Sequence, residues 1–213
     1  MDLQAVLFDL DGTLLDSMDL IWRSYGHAVR AHGGEPVHGE WLEGIGRPLR
    51  WQFARLTNDA GELEAMIATY RAFNLANHDA SVAAFPGAVE AVRALARRGL
   101  KLGVVTSKLR HGAQRGLACG GFEGLFDVVV AADDVTEHKP HPAPVLHALA
   151  QLGIEPAHAI MVGDSPHDLA SGRAAGTRTA AVAWGPFPEE ALRSTRPDVW
   201  LASPSAIAGI WAS

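Results

Sequence analysis

The sequence AVLFDLDGTLLDS at residues 5–17 joins a short apolar run to two acidic residues and a glycine. The four apolar residues at its start predict a strand that is buried on both faces of a parallel sheet. Asp9 and Asp11 follow, and residues two apart in an extended backbone point to the same side. Gly12 permits the turn that ends the strand. We therefore expect two carboxylates to converge at the carboxyl end of a buried strand.

Such a pair of carboxylates suits phosphoryl chemistry. Like charges at short distance repel unless a proton or a cation lies between them, and Mg²⁺ prefers a few carboxylates together with water. One carboxylate could attack a phosphorus atom while the other transfers the proton. The alternative is a strand followed by an Asx-type turn, which an Asp-Gly pair alone would favour.

The composition indicates a globular chain with a sizeable core. The chain has 213 residues, of which 48% are hydrophobic, and a net charge of −6, which argues against a nucleic-acid binder that relies on bulk positive charge. Cys119 is the only cysteine, so we expect neither an intramolecular disulfide nor a cysteine-rich metal cluster, as in a reducing cytoplasm. We also expect no signal peptide, because the start MDLQ has no basic residue and only four apolar residues follow it. We expect no membrane partner, because no apolar run approaches roughly 20 residues.

The pattern along the chain changes near residue 84. Residues 17–83 predict helices only: one at 17–32, two short ones between 41 and 56, and one at 62–77. From residue 86 onward, short apolar strands alternate with helices, which predicts a parallel sheet with helical crossovers. We therefore expect an α/β fold, a three-layer sandwich around a parallel Rossmann-like sheet. Residues 1–16 and 84–213 would form this body, and residues 17–83 a small all-helical domain inserted after the first strand.

Three more polar clusters follow predicted strands, where ligands of parallel sheets bind. The predicted strand at 102–106 ends with Thr106, and Ser107 follows it. These two residues could hold a phosphate oxygen, or could simply form an ST-turn or helix cap. Lys139 is one of only three lysines in the chain, although a lysine before a proline is often a solvated loop charge. Asp164 and Asp168 follow the strand at 159–162, where Asp164 could bind a metal or cap the next helix.

Taken in order, these clusters resemble motifs one to four of the haloacid dehalogenase-like hydrolase superfamily, and the helical insert resembles its small helical cap. The resemblance implies that Asp9 attacks phosphorus and forms an aspartyl-phosphate. It implies that Asp11 protonates the leaving oxygen and then activates water. Thr106 and Lys139 would bind the transferring phosphoryl group.

The same resemblance implies a Mg²⁺ ion as cofactor. Its ligands would be Asp9, Asp164 and the backbone carbonyl of Asp11, with Asp168 in support. The physics agrees with these residue types, because the negative charges of the nucleophile and of the phosphate must be offset by Mg²⁺ and by a lysine.

The residues also favour one branch of the superfamily. The dehalogenases lack the second acid and the metal, so Asp11 and Asp164 argue against that branch. The phosphonate-cleaving branch needs a lysine in the cap, and residues 17–83 contain none. The stretches MIATYRAFN at 66–74 and AAVAW at 180–184 resemble bacterial inorganic pyrophosphatases of the superfamily. We expect pyrophosphate as substrate, with phosphoglycolate or another small phosphorylated metabolite as the alternative; a phosphosugar mutase is less favoured.

Other assignments concern the helical insert. Arg47, between turn residues, is our candidate for binding a second anionic group, because arginine grips phosphate or carboxylate with two hydrogen bonds. We expect Trp22, Trp41 and Trp51 in the core of the insert, and the histidines at the surface or at helix ends. Two alternatives outside enzymes are a receiver-like phospho-acceptor domain and an inactive binding protein. The sequence contains no information on oligomeric state.

Overall fold

The computed structural model describes residues 2–212. The helices and strands are, in chain order, β1 (Ala5–Phe8), β2 (Leu15–Asp16), α1 (Met18–Ala31), α2 (His38–Gly44), α3 (Leu49–Phe53), α4 (Ala60–Ser81), β3 (Ala83–Ala84), α5 (Ala88–Arg97), β4 (Lys101–Val105), α6 (Arg110–Cys119), β5 (Val128–Val130), α7 (Ala143–Leu152), β6 (Ala159–Gly163), α8 (Pro166–Ala174), β7 (Arg178–Val182), α9 (Glu189–Ser194) and β8 (Val199–Leu201). Short 3₁₀ helices cover Ala132–Asp134, Pro156–His158 and Pro204–Ala212.

Six strands form one parallel sheet in the order β5-β4-β1-β6-β7-β8. The strand β1 lies at its centre, and all four of its residues are fully buried. Val6 and Phe8 pack into the core on one face, whereas Ala5 and Leu7 pack into the core on the other. The apolar run at the start of the chain therefore lines both cores, which explains why it contains no polar residue.

Helices cover both faces of the sheet. The core that contains Val6 and Phe8 includes side chains from α5, α6 and the 3₁₀ helix Pro204–Ala212. On the opposite face α7 contributes the apolar side chains, and α8 packs against β6 and β7. This arrangement confirms the predicted α/β sandwich of three layers.

The helical insert, residues 17–83, has an apolar cluster of its own. Side chains from α1, α2, α3 and α4 form this cluster, and the largest contact between helices is that of α1 with α4. The chain leaves and re-enters the α/β body through the antiparallel pair of β2 and β3, which was not predicted. The separate cluster supports a division at residues 17–83, and that division stays a prediction.

The insert differs from expectation at two points. Helix α4 is longer than predicted, since the Asp59 side chain caps it by accepting a hydrogen bond of 2.8 Å from the backbone N–H of Glu62. The placement of Trp51 in the core is wrong, because Trp51 is 38% exposed, whereas Trp41 is buried. On α3 the buried residue is Phe53, and residues two apart on a helix lie about 200° apart, which directs Trp51 outward.

No helix in residues 2–212 combines the length and the apolar character that crossing a bilayer would need.

Candidate active site

Three neighbouring strands end at the same level and bring their following residues together. Asp9 follows β1, Thr106 follows β4 and Asp164 follows β6, and β4 and β6 are the two neighbours of β1. The backbone N–H of Asp9 donates to Val162 of β6, at 2.9 Å, so pairing extends one residue past β1. All three residues are nearly excluded from solvent, with exposures of 7% or less.

Lys139 enters this group from the loop between β5 and α7. Its Nζ donates to Asp9 Oδ1 at 2.7 Å and to Asp168 Oδ1 at 2.6 Å, and the residue is 3% exposed. This burial excludes the alternative that the sequence left open, in which Lys139 is a solvated charge in a loop. An ammonium held between two buried carboxylates lies beside the atom that would attack phosphorus.

Asp164 has one oxygen with a partner and one without. Its Oδ1 accepts a hydrogen bond of 3.0 Å from the hydroxyl of Thr13, whereas its Oδ2 is buried with no hydrogen-bond partner. Gly12 makes room for that oxygen, since a Cβ there would lie 2.3 Å from it, and Gly12 also has a φ of +86°. An unpaired buried carboxylate oxygen is costly unless a cation takes it up.

The donor set around this oxygen fits a hard cation. Carboxylate oxygens of Asp9, Asp164 and Asp168 lie within 4.8 Å of one another, and oxygen ligands are those that Mg²⁺ prefers. Asp168 is engaged on both oxygens: Oδ1 accepts from Lys139, and Oδ2 accepts from the backbone N–H of Ser165 at 3.1 Å and from its hydroxyl at 2.6 Å. This geometry favours Asp168 in the supporting role predicted for it.

The pKa shifts of the buried acids and of Lys139 also favour a bound cation. Burial raises the pKa of Asp9 to about 7; Lys139 opposes this shift and Asp168 adds to it. Burial and the nearby carboxylates of Asp9 and Asp168 raise the pKa of Asp164 well above its ordinary value. Burial alone would lower the pKa of Lys139, but Asp168 and Asp9 more than offset it and raise that pKa. One ammonium faces three carboxylates, so a further positive charge is needed to keep all three ionised.

Asp11 is held by two residues that the sequence analysis did not assign to the site. Its Oδ1 accepts hydrogen bonds from the hydroxyl of Ser17 at 2.7 Å and from Nζ of Lys108 at 2.9 Å. The rarity of lysine in this chain is a signal that could have identified Lys108. These contacts orient the Asp11 carboxylate at the mouth of the site, two residues from Asp9.

A cavity of about 870 Å³ extends from the strand ends to the helical insert. Its inner part is lined by Asp9, Asp11 and Asp164, with Thr106 and Lys139. Its outer part is lined by side chains of the insert, among them Arg47, Trp51, Tyr70, Arg71 and Asn74. A small anionic molecule bound at the strand ends would therefore also contact side chains of the helical insert.

The predicted contacts Arg47 and Ser107 have different surroundings. The guanidinium of Arg47 lies 4.4 Å from the ring centroid of Trp51, and its Nε is buried with no hydrogen-bond partner. Ser107 instead donates its hydroxyl hydrogen bond to the carbonyl of Gly46, at 2.6 Å. Arg47 therefore lines the cavity, whereas the bond to Gly46 argues against the predicted phosphate contact of Ser107.

One histidine combines an expected position with burial. His78 lies in the last turn of α4, at a helix end as expected, but it is 2% exposed and forms part of the cavity wall. Burial lowers the pKa of His78, opposed by its hydrogen bond with Asp79. Its Nε2 is buried and has no hydrogen-bond partner.

Comparison with known proteins places this site in a family. The sequence model of the haloacid dehalogenase-like hydrolases matches residues 6–182. Pyrophosphatase PpaX of Bacillus pumilus is 43% identical over 209 residues, which cover 98% of this chain and 96% of that protein.

Solved structures agree with this match. A haloacid dehalogenase-like family hydrolase from Streptococcus pneumoniae superposes with a TM-score of 0.85 at 25% identity and covers 99% of both chains. A predicted phosphoglycolate phosphatase from Haemophilus somnus has the same TM-score at 23% identity, covering 99% of this chain and 98% of that one, and shows the shared fold. With these matches and the geometry above, the chain belongs to the family of haloacid dehalogenase-like hydrolases.

Proposed function

We propose that this chain is a Mg²⁺-dependent phosphohydrolase that splits inorganic pyrophosphate through an aspartyl-phosphate. The observation that carries the proposal is the buried Lys139–Asp9 pair beside the unpaired oxygen of Asp164. A structural ion pair would not need this third, uncompensated carboxylate. The 43% identity to a protein named pyrophosphatase PpaX supports pyrophosphate as the substrate.

The side chains at the strand ends divide the chemistry between them. A carboxylate oxygen of Asp9 forms a bond to phosphorus while the bond from phosphorus to the bridging oxygen breaks. Asp11 gives its proton to the departing phosphate, and then takes a proton from the water that hydrolyses the aspartyl-phosphate. Two phosphates leave, and both carboxylates return to their starting state.

Two further residues would hold the phosphoryl group during transfer. Lys139 faces the oxygens on the attacking side through its contact with Asp9, and it offsets charge that builds up there. Thr106 would donate its hydroxyl hydrogen bond to a phosphoryl oxygen. Its Oγ accepts one from the backbone N–H of Lys108, at 3.2 Å, which leaves its own hydrogen available.

The cation site would be formed by Asp9, Asp164 and the backbone carbonyl of Asp11, with Asp168 in support. A bound Mg²⁺ would supply positive charge that offsets the carboxylates and the transferring phosphoryl group. The unpaired Oδ2 of Asp164 and the all-oxygen donor set are the features of this chain that fit such an ion.

A phosphate-release screen with Mg²⁺ tests the proposed function. The substrates are pyrophosphate, phosphoglycolate, sugar phosphates and nucleotides, and we expect the highest kcat/KM for pyrophosphate. A higher value for phosphoglycolate or a sugar phosphate would replace the substrate but keep the reaction. Isomerised sugar phosphate without release would indicate a mutase, one retained phosphate per chain a receiver-like domain, and no reaction an inactive binding protein.

Substitution of Arg47 tests whether this side chain binds the second phosphate of pyrophosphate. We expect Arg47→Met to raise KM for pyrophosphate by about 10- to 100-fold, because a hydrogen bond to a charged group is worth about 1.5–3 kcal/mol. Hydrolysis of p-nitrophenyl phosphate, which has no second phosphate, should change little. The matched control is Arg55→Met, since Arg55 also packs on Trp51 but pairs with Glu43 at 2.9 Å. Equal effects on both substrates would exclude this role for Arg47.

Removal of Mg²⁺ should change stability in a pH-dependent way. The pKa of Asp9 is raised by burial from 3.8 to about 7. Between those values the folded, metal-free chain keeps a proton that the unfolded chain has lost, so its stability falls as the pH rises through this window. Above it, the ionised carboxylates bind Mg²⁺ most tightly.

We therefore expect Mg²⁺ at a hundredfold excess over its Kd to stabilise the chain by about 2.7 kcal/mol at pH 8, or about 5–10 °C in Tm. The same concentration should give a clearly smaller shift at pH 5.5. Thermal unfolding followed by fluorescence, with EDTA as reference, measures both shifts. Asp164→Asn should lose most of the shift at pH 8, and an equal shift at both pH values would contradict the proposed ligand set.

A further inference from the structure

A second group of metal-ligating side chains lies where α4 of the helical insert meets α6 of the α/β body. His78 and Asp79 belong to the last turn of α4, and Cys119 is the last residue of α6. His78 is buried, whereas Asp79 and Cys119 are exposed. The group takes no part in the chemistry proposed above.

The three donor atoms form a small triangle. His78 Nδ1 lies 3.0 Å from Asp79 Oδ1, Cys119 Sγ lies 3.3 Å from the same oxygen, and Cys119 Sγ lies 3.9 Å from His78 Nδ1. A tetrahedral Zn²⁺ with ordinary bond lengths to sulfur, nitrogen and oxygen separates its ligand atoms by about 3.3–3.6 Å. The observed separations bracket that range, so one ion could contact all three atoms after shifts of a few tenths of an ångström.

Arg115 is the group that an ion would have to displace in part. Its Nε and Nη2 donate to the two oxygens of Asp79 at 2.7 and 2.8 Å. The Arg115 side chain is 36% exposed, so Nε can leave Oδ1 for solvent while Nη2 keeps Oδ2. Metal-ligating carboxylates commonly keep such an outer hydrogen bond.

We propose that His78, Asp79 and Cys119 bind one thiophilic divalent cation, with Zn²⁺ as the type, and that water fills the fourth position. The donors are nitrogen, oxygen and sulfur, which select Zn²⁺ or Co²⁺ over Mg²⁺. This site is therefore chemically distinct from the all-carboxylate group at the strand ends. A bound ion would tie α4 to α6 and so restrain the helical insert against the sheet.

Cobalt spectroscopy on the full chain tests the proposal without any measurement of turnover. The metal-free protein, kept reduced by a phosphine, is titrated with Co²⁺. We expect a near-ultraviolet thiolate-to-cobalt band that saturates at one Co²⁺ per chain and disappears when Zn²⁺ is added. Because Cys119 is the only cysteine, the band has one possible source, and Cys119→Ser should abolish it.

Two further variants distinguish cobalt bound at this triangle from cobalt bound at the strand ends or by Cys119 alone. Asp164→Asn should keep the band, since Asp164 lies in the carboxylate group at the strand ends. Asp79→Asn, at an exposed position, should weaken Co²⁺ binding by at least about tenfold, with far-ultraviolet circular dichroism to verify folding. Absence of the band at millimolar Co²⁺, an unchanged affinity in Asp79→Asn, or saturation at one Co²⁺ per two chains would each overturn the proposal. None of these outcomes bears on the proposed phosphohydrolase.

Discussion

Replacing Asp9 by asparagine should reduce steady-state phosphate release from pyrophosphate by at least about 10⁴-fold, the scale of loss when a covalent nucleophile is removed. Asparagine has nearly the same shape but cannot form the bond to phosphorus. It also removes the charge of one of the three clustered buried carboxylates, of which Asp9 and Asp168 contact Lys139. We therefore expect Tm in EDTA to stay within a few degrees of the parent or to rise. Phosphate release and thermal unfolding on the same sample measure the two effects.

The matched control for this variant is Asp16→Asn. Asp16 belongs to the same stretch of sequence but is exposed at the end of β2, so its replacement should leave turnover and Tm unchanged. Rapid acid quenching of the parent with labelled pyrophosphate should trap phosphate on the protein, and Asp9→Asn should trap none. More than about 1% of the parental turnover in Asp9→Asn would remove the covalent mechanism.

The second large effect is expected for Lys139→Met, on both activity and stability. Methionine keeps the length of the side chain but leaves Asp9 and Asp168 buried without their common partner. Breaking a buried ion pair from one side costs about 3–5 kcal/mol, which lowers Tm by about 6–20 °C at pH 8. Loss of the ammonium beside the transferring phosphoryl group should lower kcat by about 10³-fold.

The pH dependence and a double variant identify the cause of this instability. The deficit in stability of Lys139→Met should shrink as the pH falls from 8 to 5, because Asp9, with a pKa already raised by burial, takes up a proton. Lys139→Met combined with Asp168→Asn removes one uncompensated charge, so it should regain part of the lost stability while staying inactive. A stable and active Lys139→Met would show that the ammonium serves neither purpose.

Local sequence patterns were sufficient to predict the α/β body. The strands β1, β4 and β6 lie within one residue of the expected positions, because a short apolar run between a turn and a polar cluster is typical of a buried strand. The antiparallel pair of β2 and β3 was not predicted, because strands of two residues have no periodicity of their own. Their pairing depends on the two ends of the helical insert, which come together only in the folded protein.

The insert shows where local patterns are ambiguous. Trp51 and Trp41 are both aromatic residues on predicted short helices, but one lines the cavity and the other lies in the core. The direction in which each side chain points depends on how α3 packs against α4, and a five-residue helix has too little periodicity to predict this. The burial of His78 is a further example, since its ring lies beside α6, with Nδ1 3.9 Å from Cys119 Sγ.

By itself, the sequence determined the strand-end acids, their order along the chain and the family that they indicate, because residue type and spacing within β1, β4 and β6 are local properties. Only the tertiary structure decided which polar groups contact one another: Lys139 with Asp9 and Asp168, Lys108 with Asp11, Ser107 with the carbonyl of Gly46, and Cys119 with His78. These contacts join residues that are 29 to 130 positions apart in the chain. Contacts over such separations depend on how the helices pack on the sheet, and a local sequence pattern contains no information on that packing.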